Sequence, residues 1–139
     1  VRLYADVTRA SAEGGLVEVP VRVELLLAAS YVPDEGDIIW LNFTPQSGHE
    51  HAGRRPAVVL SPKAYNQRAG LLICVPITNQ IKGYPFEVVL SGSGATGAAL
   101  ADQVKSLDWK IRQAECKGQT THTEMAEIKA KIKALLKLA

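Results

Sequence analysis

From residue 36 onward, apolar residues fall into short runs separated by turn-forming residues, and each run predicts one element. Gly36-Asp37-Ile38-Ile39-Trp40-Leu41-Asn42-Phe43 is rich in β-branched and aromatic residues and predicts a strand. Pro56-Ala57-Val58-Val59-Leu60-Ser61 predicts a second strand, apolar on both faces. Pro62 to Gly70 has room for one helical turn, with Pro62 suited to its start. Leu71 to Ile77 predicts a third strand, Phe86 to Leu90 a fourth, and Ala98 to Leu107 a fifth after the turn-rich stretch Ser91 to Gly97. Thr121 and Glu124 have capping-box spacing, in which the hydroxyl accepts an orphan helix N–H and the carboxylate reaches back to the cap. Met125, Ile128, Ile132, Leu135 and Leu136 follow at steps that place them on one face of a C-terminal helix. Lys129, Lys131, Lys133 and Lys137 read as a solvated face rather than a ligand site. Short strands with few helices predict a mainly β fold: a small, strongly curved sheet or barrel with the C-terminal helix packed on it.

The first 30 residues differ. Val17-Glu18-Val19 and Val21-Arg22-Val23 alternate weakly around Pro20, which confines them to an edge or an arm. The expected organisation is an N-terminal extension of open role over 1–30, such as a mis-called start, and one domain over 31–139.

Composition narrows the class without deciding it. The 139 residues are 47% hydrophobic and 22% charged, values of an ordinary globular chain. A net charge of +2 is too small to announce a nucleic-acid binder, so any such contact must come from a local patch. Two cysteines make no disulfide framework; Cys74 sits in an apolar run and reads as a core residue. No apolar run approaches the ~20 residues of a membrane span. Val23 to Ser30 is apolar but no basic region directly precedes it, so export is not expected and a cytoplasmic location is.

The chemistry concentrates in Thr44 to Pro56, a long loop that ends in Gly53-Arg54-Arg55-Pro56. A loop this long between two strands tends to be functional. Pro56 biases Arg55 toward an extended backbone, and a guanidinium held there can bind a phosphate through two parallel hydrogen bonds. The competing reading for Arg55 is an ion pair with Glu50 or Glu87. Thr78 closes the third strand, where it presents a hydroxyl at the rim of the sheet or simply satisfies β-propensity. Asn66, Gln80 and Gln103 are amides suited to base edges, and Lys82 is a point charge suited to a phosphate. Turn chemistry for Asn66 and plain solvation for Gln80 and Lys82 are the alternatives.

Residues 31–139 resemble the MazF family of toxins, also called PemK- or Kid-like. The resemblance rests on Tyr31-Val32-Pro33-Asp34 with Gly36-Asp37-Ile38-Ile39-Trp40, on Gly53-Arg54-Arg55-Pro56-Ala57-Val58-Val59-Leu60-Ser61, and on Val75-Pro76-Ile77-Thr78. It continues through Lys82-Gly83-Tyr84-Pro85-Phe86-Glu87-Val88 and Ala101-Asp102-Gln103-Val104-Lys105-Ser106.

The resemblance implies an SH3-like barrel that pairs into a homodimer. It implies a toxin of a type II toxin–antitoxin system that cuts single-stranded mRNA at short sequences, of ACA type in the best-known members. The ribose 2′-hydroxyl attacks the adjacent phosphate, leaving a 2′,3′-cyclic phosphate and a 5′-hydroxyl, and a MazE-type antitoxin neutralises the enzyme. Because the substrate supplies the nucleophile, no cofactor or metal is expected. Carried over by position, Arg55 is the principal catalytic group, Thr78 orients or stabilises the phosphate, and Glu50 is the acidic loop residue and candidate base. Arg54, Asn66, Gln80, Lys82, Asp102 and Gln103 form the expected RNA-contacting set. His49 and His51 are expected to be bystanders rather than an acid–base pair. A gyrase-binding toxin of the CcdB type and a non-catalytic SH3-like module are the competing functions; neither needs the Gly-Arg-Arg-Pro loop exit or Thr78.

Overall fold

The strand expected at residues 36–43 forms β1 (Asp37–Asn42), which buries Ile38, Ile39 and Leu41. A computed structural model provides the coordinates and describes residues 30–43, 53–92 and 94–139. Glu50, His49, His51 and residues 1–29 of the N-terminal extension lie outside the described residues. Within the unit Pro33–Ala139 the elements after β1 are β2 (Arg54–Val59), α1 (Lys63–Ala69), β3 (Leu71–Thr78), β4 (Glu87–Val89), β5 (Ala98–Leu100), β6 (Lys105–Asp108), β7 (Glu115–Gln119) and α2 (His122–Leu136). All pairings are antiparallel, in the order β4-β5-β3-β2-β1-β7. β3 is the hinge of this sheet. One edge pairs with β2, while the other takes β6 along Leu71–Cys74 and β5 at Ile77 and Thr78. That exchange of partners curls the sheet into the barrel-like mainly β fold that the patterning predicts.

Two expectations change. The single strand expected over 98–107 breaks into β5 and β6, with Gln103 N–H donating to the Leu100 carbonyl (3.0 Å) in the turn between them. The break follows from β3, whose two halves bind the two pieces separately. β7 carries no apolar pattern, Glu115-Cys116-Lys117-Gly118-Gln119, because all of it but Gly118 is exposed; it is a strand only because β1 offers it an edge.

Ile38, Val58, Val75, Ile77, Val88 and Ala99 form the core with Met125 and Ile128 of α2. Full burial of a side chain such as Ile128 contributes about 1.5–3 kcal/mol. The helix face is covered only in its first half: Ile132 is partly buried, and Leu135 and Leu136 are exposed. Cys74 is buried, and desolvation pushes its thiol up to about 12, well out of the reactive range. Among the described residues no helix is long and apolar enough to cross a membrane.

The capping box forms as expected. Thr121 Oγ1 accepts from Glu124 N (3.0 Å) and Glu124 Oε1 accepts from Thr121 N (2.8 Å). Glu124 Oε2 also accepts from Ser91 N (2.6 Å), tying the helix start to the β4–β5 connection. Desolvation pushes this carboxyl up, but its hydrogen bonds with Thr121 and Ser91 outweigh that and hold it below the ordinary carboxylate value. A depressed folded-state value means that this stabilisation is complete above the unfolded-chain pKa and is lost as pH falls through the folded one. Glu124→Gln is therefore expected to cost about 1–2 kcal/mol near neutral pH. In paired urea titrations the gap from the parent protein should shrink as the carboxyl protonates; a gap that is constant down to pH 2 would contradict the assignment.

Candidate active site

The site begins where β1 and β2 separate. Phe43 N–H still reaches the Gly53 carbonyl (3.4 Å), so the backbone is joined on either side of residues 44–52. Asn42 faces Arg54 and Leu41 faces Arg55 across the pair. Successive strand residues point to opposite faces, so the two arginines take different work. Arg54 donates from Nη1 to Asn42 Oδ1 (2.9 Å) and from Nη2 to the carbonyls of Trp40 (2.8 Å) and Gln113 (2.7 Å). It also meets Glu115 Oε1 at 3.4 Å. Arg54 thus clamps β1, β2 and the approach to β7, and it lines the same cleft as Arg55. Arg55 is exposed and lines a cleft of about 550 Å³.

Pro56, Pro76 and Thr78 share that cleft with Arg55. Proline carries no N–H, so the two prolines line it without leaving an orphan backbone donor there. Thr78 ends β3 half-buried, and its Oγ1 accepts from Gln80 N (3.0 Å), which bends the chain outward just past the strand. The Thr78 carbonyl packs directly on Gly97: a Cβ added to Gly97 would lie 2.1 Å from that oxygen, and Gly97 has φ +118°. Only glycine allows β5 to start this close to the end of β3. On the opposite wall, Trp40 Nε1 donates to the Gly94 carbonyl (3.1 Å) and holds the Ala95–Thr96 segment against the cleft.

A second hollow, of about 380 Å³, continues from the first; Thr78, Leu100 and Gln103 line both. It adds Gln80, Lys82, Tyr84, Glu87 and Asp102. Glu87 has its carboxylate turned to the backbone: Oε1 accepts from Gly83 N (2.9 Å) and Tyr84 N (3.2 Å), and Oε2 from Lys82 N (3.1 Å). Tyr84 hydroxyl donates to Asp102 Oδ2 (3.0 Å), and Asp102 Oδ1 is buried with no partner. The hydrogen bond to that carboxylate, and then its charge, raise the Tyr84 pKa and keep the phenol protonated as a donor.

The fold therefore gathers Arg54, Arg55, Thr78, Gln80, Lys82, Asp102 and Gln103, drawn from β2, the end of β3, the β3–β4 loop and the β5–β6 turn, along one groove. Asn66 is not among them. It is fully buried; its Nδ2 donates to the carbonyls of Pro33 (2.8 Å) and Ser61 (3.0 Å), and its Oδ1 accepts from Ser61 Oγ (2.6 Å). With its amide consumed by the fold, Asn66 has no edge to offer a base, and the turn-chemistry reading is the one the structure supports. Trp40 and Tyr84 were not singled out from the sequence. Both sit within the motifs quoted above, but an aromatic in a strand or loop gives no sign of which surface it lines. Among the described residues no group of three or more His, Cys, Asp or Glu is placed to hold a metal ion.

Residues 34–136 match the family described as PemK-like, MazF-like toxin of type II toxin–antitoxin system. The endoribonuclease toxin MazF of Escherichia coli (strain K12) is 56% identical over 110 residues, which span 79% of this chain and 99% of that protein. The endoribonuclease PemK of Escherichia coli is 31% identical over 108 residues, spanning 74% of this chain and 81% of that protein. A chain from a crystal structure of MazE-MazF from Deinococcus radiodurans superimposes with a TM-score of 0.75 at 51% identity, covering 78% of this chain and 99% of that one. The protein belongs to the PemK-like, MazF-like toxin family of type II toxin–antitoxin systems.

Proposed function

We propose that this chain is a sequence-specific endoribonuclease toxin that cuts single-stranded mRNA by transesterification and so arrests translation and growth. The observation that carries the proposal is the meeting of Arg55 and Thr78, far apart in the sequence, in one cleft that continues past Gln80, Lys82, Asp102 and Gln103. The names of relatives as similar as MazF, at 56% identity, support the same reading.

In this mechanism the ribose 2′-oxygen forms a bond to the adjacent phosphorus and the P–O5′ bond breaks. The products are a 2′,3′-cyclic phosphate and a 5′-hydroxyl. The 2′-hydroxyl proton leaves to a base, for which Glu50 is the candidate, and the departing O5′ takes up a proton. Charge grows on the equatorial phosphate oxygens as the pentacoordinate state forms. Arg55 is suited to meet it because a guanidinium stays charged and offers two parallel donors. Thr78 supplies a neutral hydroxyl beside it. Since the nucleophile belongs to the substrate, the reaction needs neither a protein nucleophile nor a metal-activated water. Lys82 would hold a backbone phosphate, while Gln80, Gln103 and Asp102 would read base edges at an ACA-type target. Family membership extends the proposal to a cytoplasmic homodimer and to a MazE-type antitoxin whose acidic tail occupies the same groove.

The test is incubation of the purified protein with long single-stranded RNA in EDTA, followed by analysis of the fragment ends. Cuts at recurrent short sequences with cyclic-phosphate and 5′-hydroxyl ends are expected. RNA left intact both with and without EDTA would overturn the proposal, and cutting only without EDTA would overturn its metal-independent form.

A further inference from the structure

We propose that Tyr84 is the base-stacking platform of a nucleotide subsite in the second hollow, and that Glu87 is the positioning residue that builds it. The inference rests on the RNA-cleaving reading above and deepens it. Its starting point is the conformation of residues 82–84, which have no strand partners. Three successive backbone N–H groups, of Lys82, Gly83 and Tyr84, converge on the Glu87 carboxylate. Gly83 makes that convergence possible with φ +75°. Hydrogen bonds to an ionised acceptor are roughly twice as strong as neutral ones, so one side chain fixes a loop that has no ladder of its own. Glu87 N–H closes the turn onto the Tyr84 carbonyl (3.0 Å).

The ring that this loop presents is held at both ends. Its backbone N–H is fixed by Glu87 and its hydroxyl by Asp102. Yet the residue is 46% exposed and lines the hollow beside Thr78 and Lys82. Phe86, whose ring centroid lies 5.8 Å from that of Tyr84, does the packing against the core. A tyrosine immobilised without being buried has lost its rotamer entropy before any ligand arrives. A planar base fits it: single-stranded RNA is bound by stacking unpaired bases on such rings while cations hold the backbone. Lys82 lies on the same cleft wall to take that second role.

Steady-state cleavage of single-stranded RNA tests this directly. Tyr84→Leu is expected to raise KM about 5- to 150-fold, the range of one lost stacking contact, with kcat held within about threefold. Tyr84→Phe keeps the ring but loses its tie to Asp102, so its KM should rise by less than that of Tyr84→Leu, with kcat again held within about threefold. Glu87→Ala should raise KM strongly in the parent background and much less in the Tyr84→Leu background, because the ring it positions is then gone. A 2′-O-methyl oligonucleotide bearing 2-aminopurine should be quenched at one position by the parent and by Tyr84→Phe, and not by Tyr84→Leu. An unchanged KM in Tyr84→Leu would overturn the subsite and leave the RNA-cleaving reading standing. Absence of RNA cleavage by the parent protein would overturn both.

Discussion

Arg55→Ala is expected to lower single-turnover RNA cleavage by roughly 10²–10³-fold or more, with little change in thermal stability. The size follows from the charge that must be met at phosphorus in the transition state. Removing one preorganised donor from a site of this kind costs about 2.7–4 kcal/mol, and Arg55 would supply a fork of donors together with a full charge. The selectivity follows from placement. Arg55 is exposed at the start of β2, where Leu41 across the strand pair and Ala57 after Pro56 hold the backbone from the core side. Arg55→Lys should recover part of the loss, because it keeps the charge but not the planar fork. Arg54→Ala should show the opposite pattern, with the main loss in stability, because its guanidinium joins Asn42, Trp40 and Gln113. Cleavage by Arg55→Ala within about tenfold of the parent, about 1.4 kcal/mol of barrier, would remove Arg55 from the mechanism.

Gly97→Ala is expected to be the most damaging single methyl group in the described part of the molecule. The added Cβ would stand 2.1 Å from the Thr78 carbonyl oxygen and 2.9 Å from its carbon, both of them backbone atoms that cannot swing aside. The φ of +118° adds backbone strain of order 1–3 kcal/mol for any L side chain. To relieve the contact, β5 must move away from the end of β3, which displaces Thr78 from the cleft and loosens the Ile77–Ala99 and Thr78–Ala98 pairs. A stability loss of more than about 3 kcal/mol by chemical denaturation is expected. In whatever fraction stays folded, RNA cleavage should fall as it does in Thr78→Val, which removes the hydroxyl and leaves the backbone alone. A variant within about 0.5 kcal/mol of the parent and fully active would show that the β3–β5 contact tolerates displacement.

Legibility of the site from sequence depended on what each residue's role required. The Gly-Arg-Arg-Pro exit was readable because proline restricts the residue before it by local sterics, whatever the rest of the chain does. Thr78 was readable as a strand end because the apolar run stops there. Asn66 was misread because an amide serves a base edge and a buried turn equally well; only the approach of Pro33 and Ser61 settles which. Tyr84 was overlooked because its role depends on Asp102, which the fold brings from 18 residues further along the chain.

The sequence by itself determined the local and periodic features: the strands between residues 37 and 90, the helix over 122–136 with its Thr121–Glu124 box, and membership of the family. These depend on interactions within a few residues or on a face repeated at a fixed period, so they are written along the chain. The tertiary structure alone decided that residues 98–107 form two strands, that the exposed 115–119 segment is a strand at all, that Arg54 braces the fold as well as lining the cleft with its neighbour, and that Glu87 shapes the loop carrying Tyr84. Each of those outcomes is set by a partner supplied from a distant segment or by which edge of β3 is already occupied, and neither is encoded by the residue type at the position itself.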